Sequence, residues 1–223
     1  MTYSEKGVYI IYTLFNKLTK EKQQVIMNAA ISEFVQSGFD KASTNEIVKR
    51  AKISKGSLFN YFTSKKDLYF YVIDYGVQII NYITEQIDLT ERDLFQRIEN
   101  VGLQKMYIQQ KNPQVFDFLA STKQEESHEV SDIINQKLGA MYDKSIKKLY
   151  EGIDYTKFRD DIDIEKAIEI LNWTMFGFGE KGLHQMRTFE NVTEFGEHYL
   201  NEWKQYAHLL KTSFYKEWDG EIR

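Results

Sequence analysis

The sequence predicts an all-α protein in which a small N-terminal head is followed by a larger helical body. Pro113 is the only proline among 223 residues, and no segment alternates apolar and polar residues between hairpin turns, as strands would. Apolar residues instead recur at the spacing of helices. The predicted helices cover residues 20–37, 44–51, 55–61, 65–87, 91–111, 113–121, 128–150, 163–187 and 192–216. We expect an arm at 1–18, a head at 19–66 and a body at 67–223.

The first predicted helix provides an apolar surface for the head. Its apolar face carries Val25, Ile26, Ala29, Ala30 and Phe34. Gly38 follows the helix, and glycine is common there because it adopts positive φ easily. The arm has a similar stripe, formed by Val8, Ile11, Tyr12 and Phe15. This stripe predicts an additional packed helix, with disorder or partner contact as alternatives.

Residues 44–68, TNEIVKRAKISKGSLFNYFTSKKDL, predict two short helices joined by a tight turn and the start of a third. Ser43 and Glu46 have the spacing of a capping box, in which each side chain bonds the other residue's backbone amide. Ser54 is placed to cap the second helix, and Ser64 the third. The turn is formed by Ala51, Lys52 and Ile53.

The second of these helices has an apolar side and a polar side. The buried side of the motif would contain Ile47, Ile53, Leu58 and Phe62. The opposite side carries Lys55, Ser57, Asn60 and Tyr61, which suit base edges and phosphates at the start of a recognition helix. Lys65 and Lys66 lie in the first turn of the third helix, where cations are unfavourable unless an anion such as phosphate lies nearby. The segment therefore predicts a DNA-binding head.

The order T-x-x-I at residues 44–47, followed by I-S-K-G-S-L-F-N-Y-F-x-S-K-x-x-L from Ile53 to Leu68, resembles the TetR/AcrR family of transcriptional repressors. The resemblance extends over roughly residues 20–70. It implies contacts with the DNA backbone from Thr44, Tyr61 and Lys65. It also implies that the residues nearest the bases are Lys55, Gly56, Ser57 and Asn60.

Two residues depart from the family pattern. Lys52 stands in the turn where the family usually has glycine, which raises the question of whether the turn needs a positive φ angle. Phe59 stands where tyrosine is commoner, so a hydroxyl that could bond a phosphate is absent. Phe59 is therefore either a packing residue or an apolar DNA contact.

The distribution of charge supports a DNA-binding head independently of the resemblance. Residues 41–66 contain seven basic residues and one acidic residue, whereas residues 67–223 contain 18 basic and 28 acidic residues. The net charge of −4 for the whole chain therefore hides a basic segment. Such asymmetry is expected when one region neutralises phosphates.

The last two predicted helices carry apolar residues on more than one face. The first carries Trp173, Phe176, Phe178 and Leu183, and the second carries Phe195, Tyr199, Trp203, Tyr206 and Leu210. A helix of this kind buries two sides, and a two-fold partner is the simplest cover for the second side. The family resemblance implies the same homodimer, built as a four-helix bundle.

A ligand cavity between the middle helices would be lined by aromatic and methionine side chains. The candidate lining residues are Tyr107, Phe116, Met141, Trp173 and Phe176, although ordinary core packing is the alternative for each. Such a lining indicates an apolar or aromatic ligand. A cationic ligand held by aromatic rings is also compatible, with Glu169 or Glu180 as the counter-charge.

Two apparent motifs have simpler explanations. Gly177, Gly179 and Gly182 fit the dinucleotide pattern G-x-G-x-x-G, but no strand precedes them; close helix packing at a dimer seam or a hinge explains them better. Glutamate and histidine lie four residues apart at 180 and 184 and again at 194 and 198, which is typical of solvated helix surfaces. We therefore expect no metal site.

Other classes of protein are disfavoured by what the chain lacks. No reaction motif is present, so an enzyme is not expected, and nothing indicates a cofactor. The absence of cysteine excludes disulfides and fits a reducing cytoplasm. The longest apolar run, Val8 to Phe15, is far shorter than the ~20 residues of a membrane helix and lacks the features of a signal peptide.

These features together predict a cytoplasmic homodimeric regulator. The head would bind a pseudo-palindromic operator, and a small apolar or aromatic effector in the body would release it. Two alternatives remain at this stage: an architectural DNA-binding protein, and a helical ligand carrier without operator specificity.

Overall fold

The computed structural model describes residues 12–186 and 192–216, apart from the side chains of residues 183, 184, 186 and 192–194. Helices account for most of this part of the chain. They are α1 (Thr13–Asn16), α2 (Lys20–Lys41), α3 (Thr44–Ala51), α4 (Lys55–Tyr61), α5 (Lys65–Glu85), α6 (Leu94–Lys111), α7 (Pro113–Ser121), α8 (Ser131–Tyr150), α9 (Ile164–Met186) and α10 (Val192–Phe214). Within the described residues, no strand forms beyond a single bridge between Phe158 and Tyr215.

The predicted helices are all present, which confirms the all-α fold class. The additional helix predicted for the arm is seen as the short α1, whereas the two 3-10 turns at Thr122–Gln124 and Tyr155–Lys157 were not predicted. Gly38 has a φ angle of +67° and interrupts α2, as expected of the residue that ends a regular helix. Val25 was expected on the buried face of α2, but it is 49% exposed.

The chain divides into two compact units. The first unit consists of the described residues up to Glu85 together with Lys111–Ile146. The second unit consists of Gln86–Gln110 together with the described residues from Lys147 onward. Each unit has its own hydrophobic core.

The core of the first unit joins the three-helix head to α5 and α7. The Tyr69 ring lies 4.8 Å from that of Phe34 on α2 and 5.3 Å from that of Phe118 on α7. All three side chains are buried. Burial, with the nearby charge of Glu125, raises the pKa of the Tyr69 hydroxyl. Because the head and α7 share these rings, they form one continuous core.

The described part of the N-terminal arm packs on the head. Tyr12 and Phe15 are buried, and both rings lie against Phe62 and Tyr71. The Tyr12 hydroxyl also donates to Asp67 Oδ1 at 2.5 Å. The arm therefore contacts the head, as expected for this end of the stripe, whereas Val8 and Ile11 lie outside the described residues.

The second unit contains a buried arginine that bonds two segments of backbone, at residues 89–91 and 149–151. Arg97 is 1% exposed, and its guanidinium donates to the carbonyl oxygens of Leu89, Glu91, Leu149 and Glu151. Burial lowers its pKa, while nearby carboxylates oppose the shift. An arginine can satisfy several carbonyls at once because its five donors have a fixed planar arrangement.

Asp93, just before α6, links the start of that helix to Lys157 in the second 3-10 turn and to Lys211 on α10. Its carboxylate accepts from the Gln96 amide at 3.1 Å, in the first turn of α6, and pairs with Lys157 at 2.9 Å and Lys211 at 3.4 Å.

Across the described residues, none of the helices combines the length and apolar character needed to cross a bilayer.

Candidate functional site

Helices α3 and α4 form a helix-turn-helix. Ile47 on α3 and Leu58 on α4 are buried, so the two helices are held together by apolar packing. The Ser54 Oγ accepts from the Ser57 amide at 3.0 Å and caps α4, as predicted. The hydroxyls of Ser54 and Ser57 lie 2.8 Å apart, so the start of α4 is fixed by two hydrogen bonds.

The predicted capping box at the start of α3 is wrong. Ser43 occupies the N-cap position, but its side chain makes no capping hydrogen bond. Its backbone amide donates to Glu33 Oε1 on α2 at 3.0 Å, and Glu46 lies 4.0 Å from Lys49 instead. The carboxylate of Glu33, ten residues before Ser43, therefore accepts the hydrogen bond that Glu46 would accept in a capping box.

Glu33 also holds the end of α3. Its carboxylate is 3.4 Å from Arg50 Nη2, and the residue is 4% exposed. The Arg50 guanidinium donates to Ser32 Oγ at 2.8 Å and to Gln36 Oε1 at 2.9 Å. Both ends of α3 are thus fixed to one face of α2. Arg50 accordingly serves the fold of the head and supplies less free charge to its surface than the sequence count indicates.

The turn between α3 and α4 requires a left-handed residue. Lys52 has φ 53° and ψ 43°, and among the described residues it is the only one other than glycine with positive φ. Lysine adopts this conformation at a cost of about 1 kcal/mol because its Cβ crowds the backbone. Lys52, which stands where the family usually has glycine, therefore places an exposed positive charge at a position where the backbone is strained.

The polar side of α4 faces away from the core. Lys55, Gly56 and Asn60 are exposed, and Ser57 is half-buried. Phe59 is 40% exposed, which makes it an available apolar contact and not a core residue. These positions form one accessible surface at the side of α4 opposite Leu58.

The residues expected to contact the DNA backbone are less exposed. Thr44 is half-buried at the first residue of α3, and Tyr61 is half-buried with its ring 5.9 Å from that of Phe15. Lys65 Nζ donates to the carbonyl oxygens of Phe39, Asp40 and Ala42 at 2.7, 3.0 and 3.3 Å. The ammonium of Lys65 thereby closes the C-terminal end of α2.

The start of α5 is capped as predicted. Ser64 Oγ accepts from the Asp67 amide at 3.0 Å. The Asp67 carboxylate accepts from the Thr63 amide at 2.8 Å. The negative charge of Asp67 also offsets the positive charges of Lys65 and Lys66, because an anion in the first turn of a helix is favourable.

The accessible charge of the head comes from a subset of its cations. Lys41, Lys52 and Lys55 are exposed and form no ion pair with any residue described in the structure. Lys66 lies 5.7 Å from the centre of the Phe70 ring. The head therefore presents several lysines that can meet phosphates.

Residues 26–72 match the family model described as bacterial regulatory proteins, tetR family. The head is a TetR-type DNA-binding domain. Among its relatives, the HTH-type transcriptional regulator YuxN of Bacillus subtilis is 41% identical over 56 residues, which are 25% of this chain and 19% of the relative. The A-factor receptor protein of Streptomyces griseus is 33% identical over 60 residues, which are 27% of this chain and 22% of the relative. The similarity thus spans less than a quarter of each relative.

Solved TetR-family structures extend the likeness beyond the head. A TetR-family transcriptional regulator from Chloroflexus aurantiacus has a TM-score of 0.64 at 23% identity, covering 92% of this chain and 98% of the other. At this identity the match establishes a shared fold. The shared fold therefore includes the helices that follow the TetR-type head.

An apolar stripe lies exposed on α9 and α10, which pack against each other. Its members are Ile170, Trp173, Phe176, Tyr206 and Leu209, of which Trp173 is 68% and Leu209 is 63% exposed. Exposed aromatic and aliphatic side chains at adjacent positions mark a surface that another molecule can cover. We call this surface the α9–α10 stripe.

The second unit contains a cavity of about 160 Å³, partly open to solvent, between α6, the end of α8, α9 and α10. Its aliphatic wall includes Ile98, Val101 and Met175, and its aromatic wall includes Phe178, Tyr199 and Trp203. The Phe178 ring lies 4.3 Å from that of Tyr199 and 5.3 Å from that of Trp203. Burial, with the charge of Glu202, raises the pKa of the Tyr199 hydroxyl to about 12.

The five ligand candidates from the sequence are not in the lining of this cavity. Tyr107 is 56% exposed, and Trp173 and Phe176 belong to the α9–α10 stripe. Phe116 is buried in the first unit, where Met141 is half-buried. The sequence places Tyr199 and Trp203 among apolar residues on more than one face of α10, and their i, i+4 spacing with Phe195 indicates one inward face.

The glycine motif lies within the continuous helix α9, where no strand precedes it. A Cβ at Gly182 would lie 3.0 Å from Tyr199 Cδ2, so this glycine permits close approach of α10 within the same chain. A Cβ at Gly177 or Gly179 would meet nothing within 4 Å. No group of three potential metal ligands occurs in the described part of the chain, and the side chains of His184 and Glu194 lie outside it.

Proposed function

We propose that this TetR-family protein is a ligand-responsive transcriptional regulator that binds a specific, pseudo-palindromic operator and acts as a repressor. The observation that carries the proposal is the exposed polar side of α4, with Lys55, Gly56 and Asn60 accessible on a helix whose opposite side is buried. A helix presented in this way can enter the major groove and bond base edges. We propose Lys55, Gly56, Ser57 and Asn60 as the residues nearest the bases.

Backbone contacts would position α4 on the duplex. We propose Thr44, Tyr61 and Lys65 for this role, at the edges of the surface formed by α4. Lys65 is held by three carbonyl oxygens, so it would contact a phosphate as part of a fixed structure and not as a mobile side chain. Phosphate contacts fix orientation and register but carry no sequence information themselves.

A homodimer would present two heads to the two halves of the operator. The α9–α10 stripe supports this assembly because its exposed apolar side chains need a cover, and a second copy supplies a complementary one. The dimer also matches the DNA, since half-sites about one helical turn apart require two recognition helices at a fixed separation.

Release by an effector would be a shift between two states of the dimer. A small apolar or aromatic molecule that binds the DNA-incompetent state more tightly would lower operator affinity, whereas equal affinity for both states would change nothing. The Streptomyces griseus relative is named a receptor, which agrees with a regulator that responds to a small molecule.

The test is selection from random duplex DNA with the purified full-length protein at low and near-physiological salt. A two-fold symmetric sequence that remains enriched at the higher salt supports the proposal. Binding without an enriched sequence, lost as salt rises, contradicts it and favours an architectural DNA-binding protein, because nonspecific binding is almost entirely electrostatic. Absence of DNA binding at both salts favours a ligand carrier.

A further inference from the structure

We propose that the cavity in the second unit is the effector site and that it takes a neutral aromatic molecule of one ring or two fused rings. The effector role rests on the function proposed above, whereas the binding of such a molecule does not. The two can therefore be tested separately.

The size of the cavity limits its occupant. A dry cavity of roughly 150 Å³ lined by apolar side chains is large enough to hold benzene. The volume of about 160 Å³ in this protein is similar. A molecule of roughly six to ten non-hydrogen atoms therefore fits without rearrangement of the walls.

The lining selects for an uncharged aromatic molecule. Glu99 and Lys105 are its only charged residues, and their charges cancel. Glu99 is also 3.6 Å from Lys204, so its carboxylate already has a cation. A charged ligand would lose its hydration without gaining a net opposite charge. The rings of Phe178, Tyr199 and Trp203 offer edges and faces for another ring.

The cavity and the α9–α10 stripe share a ring contact. Phe178 lies in the cavity wall, and its ring is 5.6 Å from that of Tyr206, which is 39% exposed in the stripe. An occupant that moves Phe178 therefore acts directly on a residue of the proposed dimer surface. This contact gives a ligand a means to distinguish two dimer states.

The decisive measurement is calorimetric titration of the full-length protein with indole, which is neutral and has nine non-hydrogen atoms. Gly102 lines the cavity, and a Cβ there would meet nothing within 4 Å, so a side chain at this position has room to enter. Gly102→Leu should weaken indole binding at least tenfold. Gly102→Ala, which adds one methyl group, should weaken it less and guards against misfolding of the larger variant.

Gly139→Leu is the matched control. Gly139 is also a helical glycine with open space around its Cβ position, but it lies on α8 in the first unit and not in the cavity. Its indole affinity should stay within twofold of the wild type. Indole-3-acetate, the anionic counterpart of the probe, should bind the wild type at least tenfold more weakly than indole.

Two outcomes would overturn the cavity inference: no saturable binding of indole, benzene or p-cresol to the wild type, or equal indole affinities for the wild type and Gly102→Leu. The effector role is tested separately, by measuring how much of the selected operator DNA stays bound to the protein as indole is added. Saturable binding that Gly102→Leu removes, with operator affinity unchanged, would support the binding site and contradict the effector role. Loss of operator affinity in the wild type but not in Gly102→Leu would support both.

Discussion

The ammonium of Lys65 lies 2.7 Å from the carbonyl oxygen of Phe39, 26 residues earlier in the chain. Two further carbonyl oxygens, of Asp40 and Ala42, complete its coordination, and the Phe39 ring lies 4.7 Å away. A cation at the C-terminal end of α2 is favourable because unpaired carbonyls carry partial negative charge there. Lys65 therefore joins the start of α5 to the end of α2.

Replacement of Lys65 by alanine should lower both stability and DNA affinity. Hydrogen bonds from a charged donor contribute about 1.5–3 kcal/mol in favourable settings, and Lys65 is half-buried, so we expect a loss of about 1–3 kcal/mol in the free energy of unfolding. DNA binding should weaken alike for all sequences. Chemical denaturation and binding titrations measure the two effects.

Lys66→Ala is the control for this variant, because the Lys66 ammonium faces the Phe70 ring. It should leave the free energy of unfolding within about 0.5 kcal/mol of the wild type, as is usual for a surface substitution. If Lys65→Ala were as stable as Lys66→Ala, the joining role of Lys65 would be refuted.

Lys52→Gly should stabilise the head while removing a cation. Glycine adopts the φ of +53° without a Cβ clash, although it also increases the entropy of the unfolded chain, so the net gain should be about 1 kcal/mol or less. Thermal unfolding provides the measurement. Lys52→Ala loses the same charge but keeps the Cβ, and it should show no comparable gain; equal midpoints for both variants would argue against strain at this turn.

Asn60→Ala should change which operator is preferred. A side-chain amide at the exposed side of α4 can bond adenine through two hydrogen bonds, worth about 1–3 kcal/mol of discrimination. Selection from random duplexes should yield a site with relaxed preference at one position in each half. Lys52→Ala serves again as the comparison, since it should weaken binding to all DNA sequences while leaving the enriched site unchanged. An unaltered site for Asn60→Ala would remove this residue from base recognition.

Trp173→Glu should disrupt the homodimer. Trp173 is 68% exposed within the α9–α10 stripe, and a buried carboxylate at a two-fold interface would face its own symmetry copy or an apolar wall. Sedimentation velocity should show a dimer for the wild type and a monomer for the variant. Tyr82→Glu alters another exposed aromatic residue, 56% exposed on α5, and should remain dimeric. A monomeric wild type would contradict the assignment of the stripe.

Asp93→Asn should destabilise the protein in a manner that depends on pH. Burial favours a raised pKa for Asp93, but the hydrogen bonds from Lys157 and the Gln96 amide outweigh burial and hold the pKa below its ordinary value. A lowered native pKa contributes stability above the unfolded value, and this contribution is lost as pH falls through the native value. The variant should be about 1–2 kcal/mol less stable at neutral pH.

The difference between Asp93→Asn and the wild type should shrink as the pH falls below about 4, because the wild-type carboxyl is then protonated in the unfolded chain. Urea denaturation at a series of pH values measures this. Asp160→Asn is the control, since the Asp160 side chain is 89% exposed and its pair with Lys216 contributes little. A difference that stayed constant down to pH 2 would exclude the electrostatic explanation.

The sequence predicted the local features of the head and missed the distant ones. Ser54 caps α4 through an amide three residues away, so its role followed from spacing alone. The amide of Ser43 bonds Glu33, and the ammonium of Lys65 bonds carbonyls more than 20 residues away. These partners depend on how α2 packs against α3 and α5, which capping patterns do not encode.

The candidate ligand residues show the same division in the second unit. Aromatic residue type does not distinguish Trp173, which is 68% exposed, from Trp203, which is 6% exposed in the cavity wall. Only the pairing of α9 with α10 decides which face of each helix turns inward. The helices themselves were predictable because their apolar periodicity is local, whereas the cavity depends on the relative rotation of packed helices.

The discontinuous first unit limits how the head can be exchanged between proteins. Phe118, which covers the rings of Phe34 and Tyr69, comes after residues 86–110, which belong to the other unit. A fragment ending at Glu85 would therefore expose those two rings, and the exposed apolar surface would promote aggregation of the fragment. A single recombination crossover cannot transfer the head with its complete core, so a chimera with a new DNA specificity needs either two crossovers or matched residues on α7.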